Sequence, residues 1–138
     1  MRAVDTNVLV RALVRDDEAQ SARAEALLTS AAVFIPVTVI LELEWVLRSR
    51  YAFAPKLVAQ AIEKITSLEN VVVGEREAVQ QAAVKASQGW DFADALHHAL
   101  SAGCDDFLTF DGELAKRGAR AKRVPASGSK FEPAILKL

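Results

Sequence analysis

Residues 3–11, AVDTNVLVR, change from an extended pattern to a helical one within a few positions. The first part predicts a short strand over residues 2–5, which ends at Asp5. Leu9 and Leu13 then have the spacing of one helix face, so a helix is expected directly after the strand. A strand followed by a helix is the repeating unit of α/β folds with a mostly parallel sheet.

The same alternation of short strands and longer helices continues along the chain, without internal repeats. It predicts an α/β fold with a mostly parallel central sheet. Proline in a first helical turn and glycine after a last one indicate several of the helix ends. The predicted helices cover residues 18–30, 38–51, 55–68, 75–87, 91–103 and 112–117, and the predicted strands cover 33–36, 71–73, 107–110 and 121–124, with a loop at 125–129.

The composition predicts one domain over residues 1–138, because 51% of the residues are hydrophobic, enough for a sizeable core. Cys104 is the single cysteine, so no internal disulfide is expected. We expect it to be a small buried residue of a protein in the reducing cytoplasm. The most apolar window, 33–41, is far shorter than the roughly 20 residues that cross a bilayer, so no membrane segment is expected.

Charge is unevenly distributed, although the net charge is only −1. Residues 111–138 contain seven basic and three acidic side chains, which leaves ten basic and fifteen acidic side chains in residues 1–110. The C-terminal region therefore carries +4 and the remainder −5. A basic region of this kind fits contacts with nucleic-acid phosphates, but it fits a solvated basic surface equally well.

Two aspartates follow predicted strands directly. Asp5 comes after the first strand and Asp111 after the strand at 107–110. Ligands of open α/β sheets bind at the carboxyl ends of the strands, which makes both residues candidates for a binding site. Aspartate is also a strong helix N-cap, and for either residue taken singly capping is the better explanation.

Glu42 lies in a helical segment, 38–47, that is apolar on nearly all sides, so the segment is expected to be buried. Glu44 has Arg48 four residues later, which predicts an ion pair on the helix surface. Glu42 has no cation at helical spacing. If buried, its carboxyl must raise its pKa, find a distant cation or bind a metal ion.

Asp91 is the predicted N-cap of a helix that ends at Gly103, and Asp94 lies in its first turn. The helix dipole alone favours acidic residues there, but it does not explain why the turn carries both. Asp94 is the better candidate for a metal ligand, with Asp91 in a supporting position. His97 and His98 are expected to pack or to form hydrogen bonds.

Four carboxylates without histidine or cysteine ligands indicate a site for a hard cation such as Mg²⁺ or Mn²⁺. Such an ion activates water and stabilises the charges of phosphodiester hydrolysis. The sequence contains no GxSxG, P-loop or GxGxxG motif that would indicate another chemistry. The predicted metal ligands and catalytic residues are Asp5, Glu42, Asp94 and Asp111.

Three segments resemble PIN domains, and among these the toxins of VapBC-type toxin–antitoxin modules: AVDTNVLVR (3–11), PVTVILELEWVLRSRY (36–51) and FADALHHALSAGCDDFLTFDGEL (92–114). The resemblance implies a metal-dependent ribonuclease with a three-layer α/β/α sandwich whose four carboxylates bind the metal. It also implies that Asn7 and Thr109 are polar supports, that products carry a 5′-phosphate, and that the protein is a homodimer with an antitoxin whose tail covers the site.

Two other classes of function are weighed against the ribonuclease. A phosphohydrolase with Asp5 as covalent nucleophile is disfavoured, since that chemistry expects a second aspartate at position 7, which is Asn7. A catalytically silent module on the same fold that binds RNA or protein remains the alternative. For a nuclease, the predicted phosphate-binding residues are arginines. The candidates are Arg11, Arg15, Arg48 and Arg117.

Overall fold

A computed structural model describes residues 1–120, 122–123 and 130–138, with seven α-helices and seven strands among these residues. The helices are α1 Thr6–Val14, α2 Glu18–Ser30, α3 Val37–Ser49, α4 Pro55–Thr66, α5 Arg76–Ser87, α6 Phe92–Leu100 and α7 Gly112–Arg117. The strands are β1 Arg2–Ala3, β2 Val33–Ile35, β3 Val71–Val73, β4 Asp106–Thr109, β5 Lys122–Arg123, β6 Phe131–Glu132 and β7 Ala134–Lys137.

The strands of the main sheet are parallel and lie in the order β1, β2, β3. Strand β4 pairs in parallel with β7, with Thr109 opposite Lys137, and β5 pairs antiparallel with β6. The prediction of an α/β sandwich with mostly parallel strands is confirmed. The hydrogen-bonded strands nevertheless form separate groups rather than one continuous sheet among the described residues.

The core lies between the main sheet and the helices, as the alternation within the strands dictates. In β3, Val71 and Val73 are buried while Val72 between them is exposed. Each fully buried aliphatic side chain contributes about 1.5–3 kcal/mol relative to an exposed one. The largest fully buried aliphatic side chains are Leu9, Ile35, Ile40, Leu43, Leu47, Ile62, Leu96 and Ile135.

The end of α6 differs from its prediction. The helix ends at Leu100 rather than at Gly103, because Ser101 closes it with a backbone bond to His98 and a side-chain bond from its hydroxyl to the His97 carbonyl. Gly103 has a positive φ of 93° in the following turn, and its N–H donates to the carbonyl of Phe131. The glycine therefore marks a turn toward the C-terminal strands, not the helix end itself.

The C-terminal strands β6 and β7 were not among the predicted elements. Ile135 of β7 is buried, and its N–H donates to the carbonyl of Gly118 at 2.7 Å. A Cβ at Gly118 would overlap the Ile135 side chain, so glycine is required for this close approach. The predicted strand at 121–124 is observed as Lys122–Arg123, and the predicted loop at 125–129 lies outside the described residues.

The expectations for Cys104 and for the membrane have different outcomes. Cys104 is exposed, not buried, because the turn after α6 in which it follows Gly103 lies at the surface. Among the described residues, no helix is long and apolar enough to cross a membrane.

Candidate active site

Asp5 and Glu42 are joined through Thr6, the first residue of α1. Asp5 is the N-cap of this helix, and its Oδ1 accepts a hydrogen bond from the Thr6 N–H at 2.8 Å. The Thr6 side chain is buried, and its hydroxyl donates to Oε1 of Glu42 on α3. Two of the predicted carboxylates therefore belong to one polar cluster where the end of β1 meets α3.

The two glutamates of α3 differ from their predictions: the one predicted to be buried is exposed, and the one predicted to be on the surface is buried. Glu42 is exposed, on a face that also carries Trp45, which is half exposed, whereas Glu44 has only 6% of its surface accessible. The predicted Glu44–Arg48 pair is confirmed at 2.8 Å, but its predicted location on the surface is wrong. The error arises because the apolar Trp45 was counted as part of the buried face.

Asp94 lies in an acidic environment at the start of α6. Asp91 is the N-cap, as predicted, and its Oδ1 accepts a hydrogen bond from the Asp94 N–H at 3.0 Å. Partial burial raises the pKa of the Asp94 carboxyl, and the negative charges of Asp91 and Asp111 raise it further. The positive charge of His97 lowers the pKa of this carboxyl. Asp91 and Asp111 are therefore close enough to Asp94 to disfavour its negative charge.

Asp111 is held at the end of β4 by its own backbone and by α7. Its N–H donates to the hydroxyl oxygen of Thr109 at 3.0 Å. Its Oδ1 accepts hydrogen bonds from the N–H groups of Glu113 and Leu114, so it caps α7. Thr109 thus lies beside Asp111, as the resemblance implies, and fixes the backbone from which the carboxylate projects.

The caps at Asp5, Asp91 and Asp111 occupy Oδ1 of each side chain. Within the described part of the chain, the corresponding Oδ2 atoms accept no hydrogen bond. The capping explanation considered for Asp5 and Asp111 is thus correct, yet each carboxylate keeps an oxygen for a cation. Oxygen donors of this kind match the preference of Mg²⁺ and Mn²⁺.

A cavity of about 400 Å³ lies between α3 and the start of α6. Glu42, Arg48 and Ala93 are among its lining residues, so it reaches from the Thr6–Glu42 contact to the residue before Asp94. The pKa of Arg48 is raised by its hydrogen bond to Glu44 and, to a smaller extent, by the charge of Asp91. This arginine therefore lies between α3, which carries Glu42, and the start of α6, which carries Asp94.

The four predicted carboxylates fall into two pairs: Asp5 and Glu42 are linked through Thr6, and Asp94 is affected by the charge of Asp111. Within residues 1–120, 122–123 and 130–138, no three His, Cys, Asp or Glu side chains are already arranged to hold a metal ion. The donor chemistry nevertheless fits a divalent cation, since every candidate atom is a carboxylate oxygen and the repulsion around Asp94 is the kind that a cation offsets.

A model of the PIN domain family matches residues 2–120, most of the chain. The chain belongs to the PIN domain family. PIN domains are generally nucleases that use divalent metal ions and act on RNA. The matched region includes all four candidate carboxylates. No curated protein matches the sequence.

Asn7, the other predicted support, is exposed on the first turn of α1 in this PIN domain. It lines a cavity between α1 and α2 together with Arg11 and Arg23, and it has no hydrogen bond to the carboxylates that the structure describes. Its supporting role stays a prediction.

His98 packs in the interior of the PIN domain, as predicted. Its Nε2 lies 2.7 Å from the Pro133 carbonyl, and its ring stacks on Trp90 with centroids 5.9 Å apart. Its Nδ1 is 3.2 Å from Nζ of Lys85, which forms an ion pair with Glu132. No local sequence pattern reveals this cluster, because its members are up to 47 residues apart.

Proposed function

We propose that this PIN domain, acting as one domain over residues 1–138, is an endoribonuclease that requires Mg²⁺ or Mn²⁺. The main support is the environment of Asp94, where partial burial and the charges of Asp91 and Asp111 raise the carboxyl pKa. Such repulsion destabilises the metal-free protein, and perturbed carboxylates cluster at functional sites. Family membership supports the same conclusion.

Asp5, Glu42, Asp94 and Asp111 are the side chains that we propose to hold the cation. When bound, a divalent cation supplies a Lewis acid for the phosphate and lowers the pKa of water. Thr6 keeps Glu42 in place through its hydroxyl, and the helix caps restrict the rotamers of Asp5 and Asp111. Asp91 orients the start of α6, from which Asp94 projects. Hydrolysis is expected to leave a 5′-phosphate on the product.

The cellular role that we propose is that of a cytoplasmic toxin in a type II toxin–antitoxin pair, with a small antitoxin protein and a homodimeric toxin. The support is the resemblance of residues 3–11, 36–51 and 92–114 to VapBC-type toxins. An exposed apolar surface on β4 and β7, where Leu108 is the register partner of Leu136, offers an area for protein contacts.

A catalytically silent binding module is the second candidate. It is favoured by the observation that Asp5, Asp91 and Asp111 all cap helices, which gives each a structural role without any metal. The two candidates differ in whether RNA is cut, so one assay discriminates between them.

The test is cleavage of a 5′-labelled single-stranded RNA with Mg²⁺, with Mn²⁺ and with chelator. The wild type should cut only with metal, and Asp94→Asn should lose about 100-fold or more of the rate. Glu69→Gln is the matched control, since Glu69 is exposed and precedes β3, at the opposite edge of the sheet from Asp5. No cleavage by the wild type with either metal favours the binding module, and undiminished cleavage in chelator refutes the metal mechanism.

A further inference from the structure

An RNA backbone is repelled by a cluster of carboxylates, so a nuclease needs cations that bind the flanking phosphates. Three of the four arginines predicted to bind phosphates already form ion pairs with acidic side chains. Arg11 pairs with Asp16 at 2.7 Å, Arg15 pairs with Glu25, and Arg48 pairs with Glu44. These pairs reduce the charge available for phosphates near α1 and α3.

Lys137 lies beside Asp111, although the two are 26 positions apart in the sequence. The parallel pairing of β4 with β7 sets Lys137 opposite Thr109, at the edge where Asp111 follows the strand. Its Nζ is 3.8 Å from the position that a Cβ would occupy on Gly112. Lys137 is exposed, and it forms no ion pair with any residue that the structure describes, Asp111 included.

Arg117, at the C-terminal end of α7, also lies over a glycine. Nη1 and Nη2 of its guanidinium lie 3.5 and 3.7 Å from the point where Gly89 would carry a Cβ. Gly89 has a φ of 104° in the turn that precedes Asp91. The side chain is exposed, and it too lacks an ion pair within the described ranges.

We propose that Lys137 and Arg117 are phosphate-positioning residues, which hold the RNA backbone next to Asp94 and Asp111. The inference rests on the proposed ribonuclease function. Both cations are exposed beside an acidic cluster and form no ion pair with a described residue. Both also lie over glycines, where no side chain blocks an RNA backbone. Arg117 offers two parallel donors for a phosphate, whereas Lys137 offers a point charge.

The binding test measures the anisotropy of a labelled single-stranded RNA with the full chain in EDTA, over a range of NaCl concentrations. Loss of one phosphate contact should lower the slope of log Kd against log salt by about 0.7. Lys137→Ala and Arg117→Ala should each lower it by this amount, and the double variant by about twice as much. Lys137→Arg should keep the wild-type slope.

Lys64→Ala is the matched control, because Lys64 is an exposed lysine on α4, whose main packing partners are α5, α3 and β3. With Mg²⁺, Lys137→Ala should raise KM for RNA with little change in kcat, since it removes binding that ground state and transition state share. Its melting temperature should equal that of the wild type, because the amine has no structural partner within the described residues.

The outcomes separate this inference from the proposed function. If Lys137→Ala and Arg117→Ala keep the salt slope of Lys64→Ala, the phosphate-positioning proposal is refuted, whatever the wild type cuts. If both lower the slope but the wild type cuts no RNA with Mg²⁺ or Mn²⁺, the phosphate-positioning proposal is upheld and the proposed ribonuclease activity is refuted. A wild type that binds no RNA in EDTA or in Mg²⁺ overturns both proposals.

Discussion

At the scale of single residues, capping and metal binding are compatible uses of the same aspartate. The cap hydrogen bonds of Asp5 and Asp111 engage one oxygen of each carboxylate and leave the other without a donor from the described residues. A cap also restricts the side chain to one rotamer, which lowers the entropic cost of holding a cation. The structural explanation for these residues therefore does not compete with the functional one.

Glu42→Gln is the most informative single substitution. Because Glu42 is exposed and its Oε1 accepts from the Thr6 hydroxyl, glutamine keeps the acceptor and loses only the charge. The metal-free protein should stay within about 0.5 kcal/mol of wild-type stability, as for most surface substitutions. RNA cleavage should fall strongly, which rate measurements with Mg²⁺ would detect. Wild-type cleavage by this variant would remove Glu42 from the proposed metal ligands.

Glu44→Gln is the control two residues away. Glu44 is buried and accepts a hydrogen bond from the exposed Arg48, so loss of its charge weakens a partly buried, charge-assisted contact. We expect the free energy of unfolding to fall by about 1 kcal/mol or more. Chemical denaturation should therefore show a lower free energy of unfolding for the variant on the buried face of α3 than for the variant on its exposed face.

At the scale of elements, the C-terminal strands are attached to α5 and α6 through the His98 cluster. Lys85 of α5 pairs with Glu132 of β6, and His98 of α6 contacts the Pro133 carbonyl between β6 and β7. Asp94 is one helical turn before His98, so the same helix carries a candidate metal ligand and the attachment of β7. The position of Lys137 thus depends on a cluster that lies away from the carboxylates.

His98 makes stability depend on pH. Burial lowers the pKa of His98, and the charge of Lys85 lowers it further, against the hydrogen bond to Pro133. As the pH falls below about 6.5, the unfolded chain binds a proton at this position that the folded chain resists, so stability decreases. The slope of unfolding free energy against pH should decrease in His98→Gln by up to about 1.4 kcal/mol per pH unit.

His97→Gln is the matched control, because His97 is exposed on the same helix. It should not reproduce the decrease in slope expected for His98→Gln when urea unfolding is measured at intervals of about half a pH unit between about pH 5 and pH 7. Equal slopes for wild type and His98→Gln would show that His98 titrates alike in the folded and unfolded chains.

At the scale of the whole molecule, the charge distribution predicts that metal stabilises the fold. Partial burial, and then repulsion from Asp91 and Asp111, raise the pKa of Asp94, so the metal-free protein loses stability as the pH rises through the titration of this carboxyl. A cation that binds only the folded state adds about 2.7 kcal/mol at a hundredfold excess over its Kd. Mg²⁺ should therefore raise Tm by on the order of 5–10 °C.

Thermal melts with and without Mg²⁺ measure this shift. Asp94→Asn should melt higher than the wild type without metal, because the repelled charge is gone, and should gain less from Mg²⁺. Glu69→Gln should behave as the wild type in both conditions. A Tm for the wild type that is the same with chelator and with millimolar Mg²⁺ would contradict metal binding by the folded protein.

The local patterns of the sequence were sufficient for most elements. The bounds of α2, β3 and α7 agree with their predictions, and Asp91 caps α6 as expected. Helical spacing, caps and strand alternation involve residues within a few positions of one another, so they can be recognised without the fold. The candidate carboxylates were found in the same way, from their places at strand ends and in first helical turns.

Only the tertiary structure determined which faces are buried and which distant residues meet. The exposure of Glu42 and the burial of Glu44 depend on what packs against α3, which local periodicity leaves undetermined when an apolar Trp45 faces solvent. Lys137 lies next to Asp111 because β7 pairs with β4, a contact between segments about 28 residues apart in register. Strand pairing is specified by complementary surfaces across the whole molecule, and no short stretch of sequence contains that information.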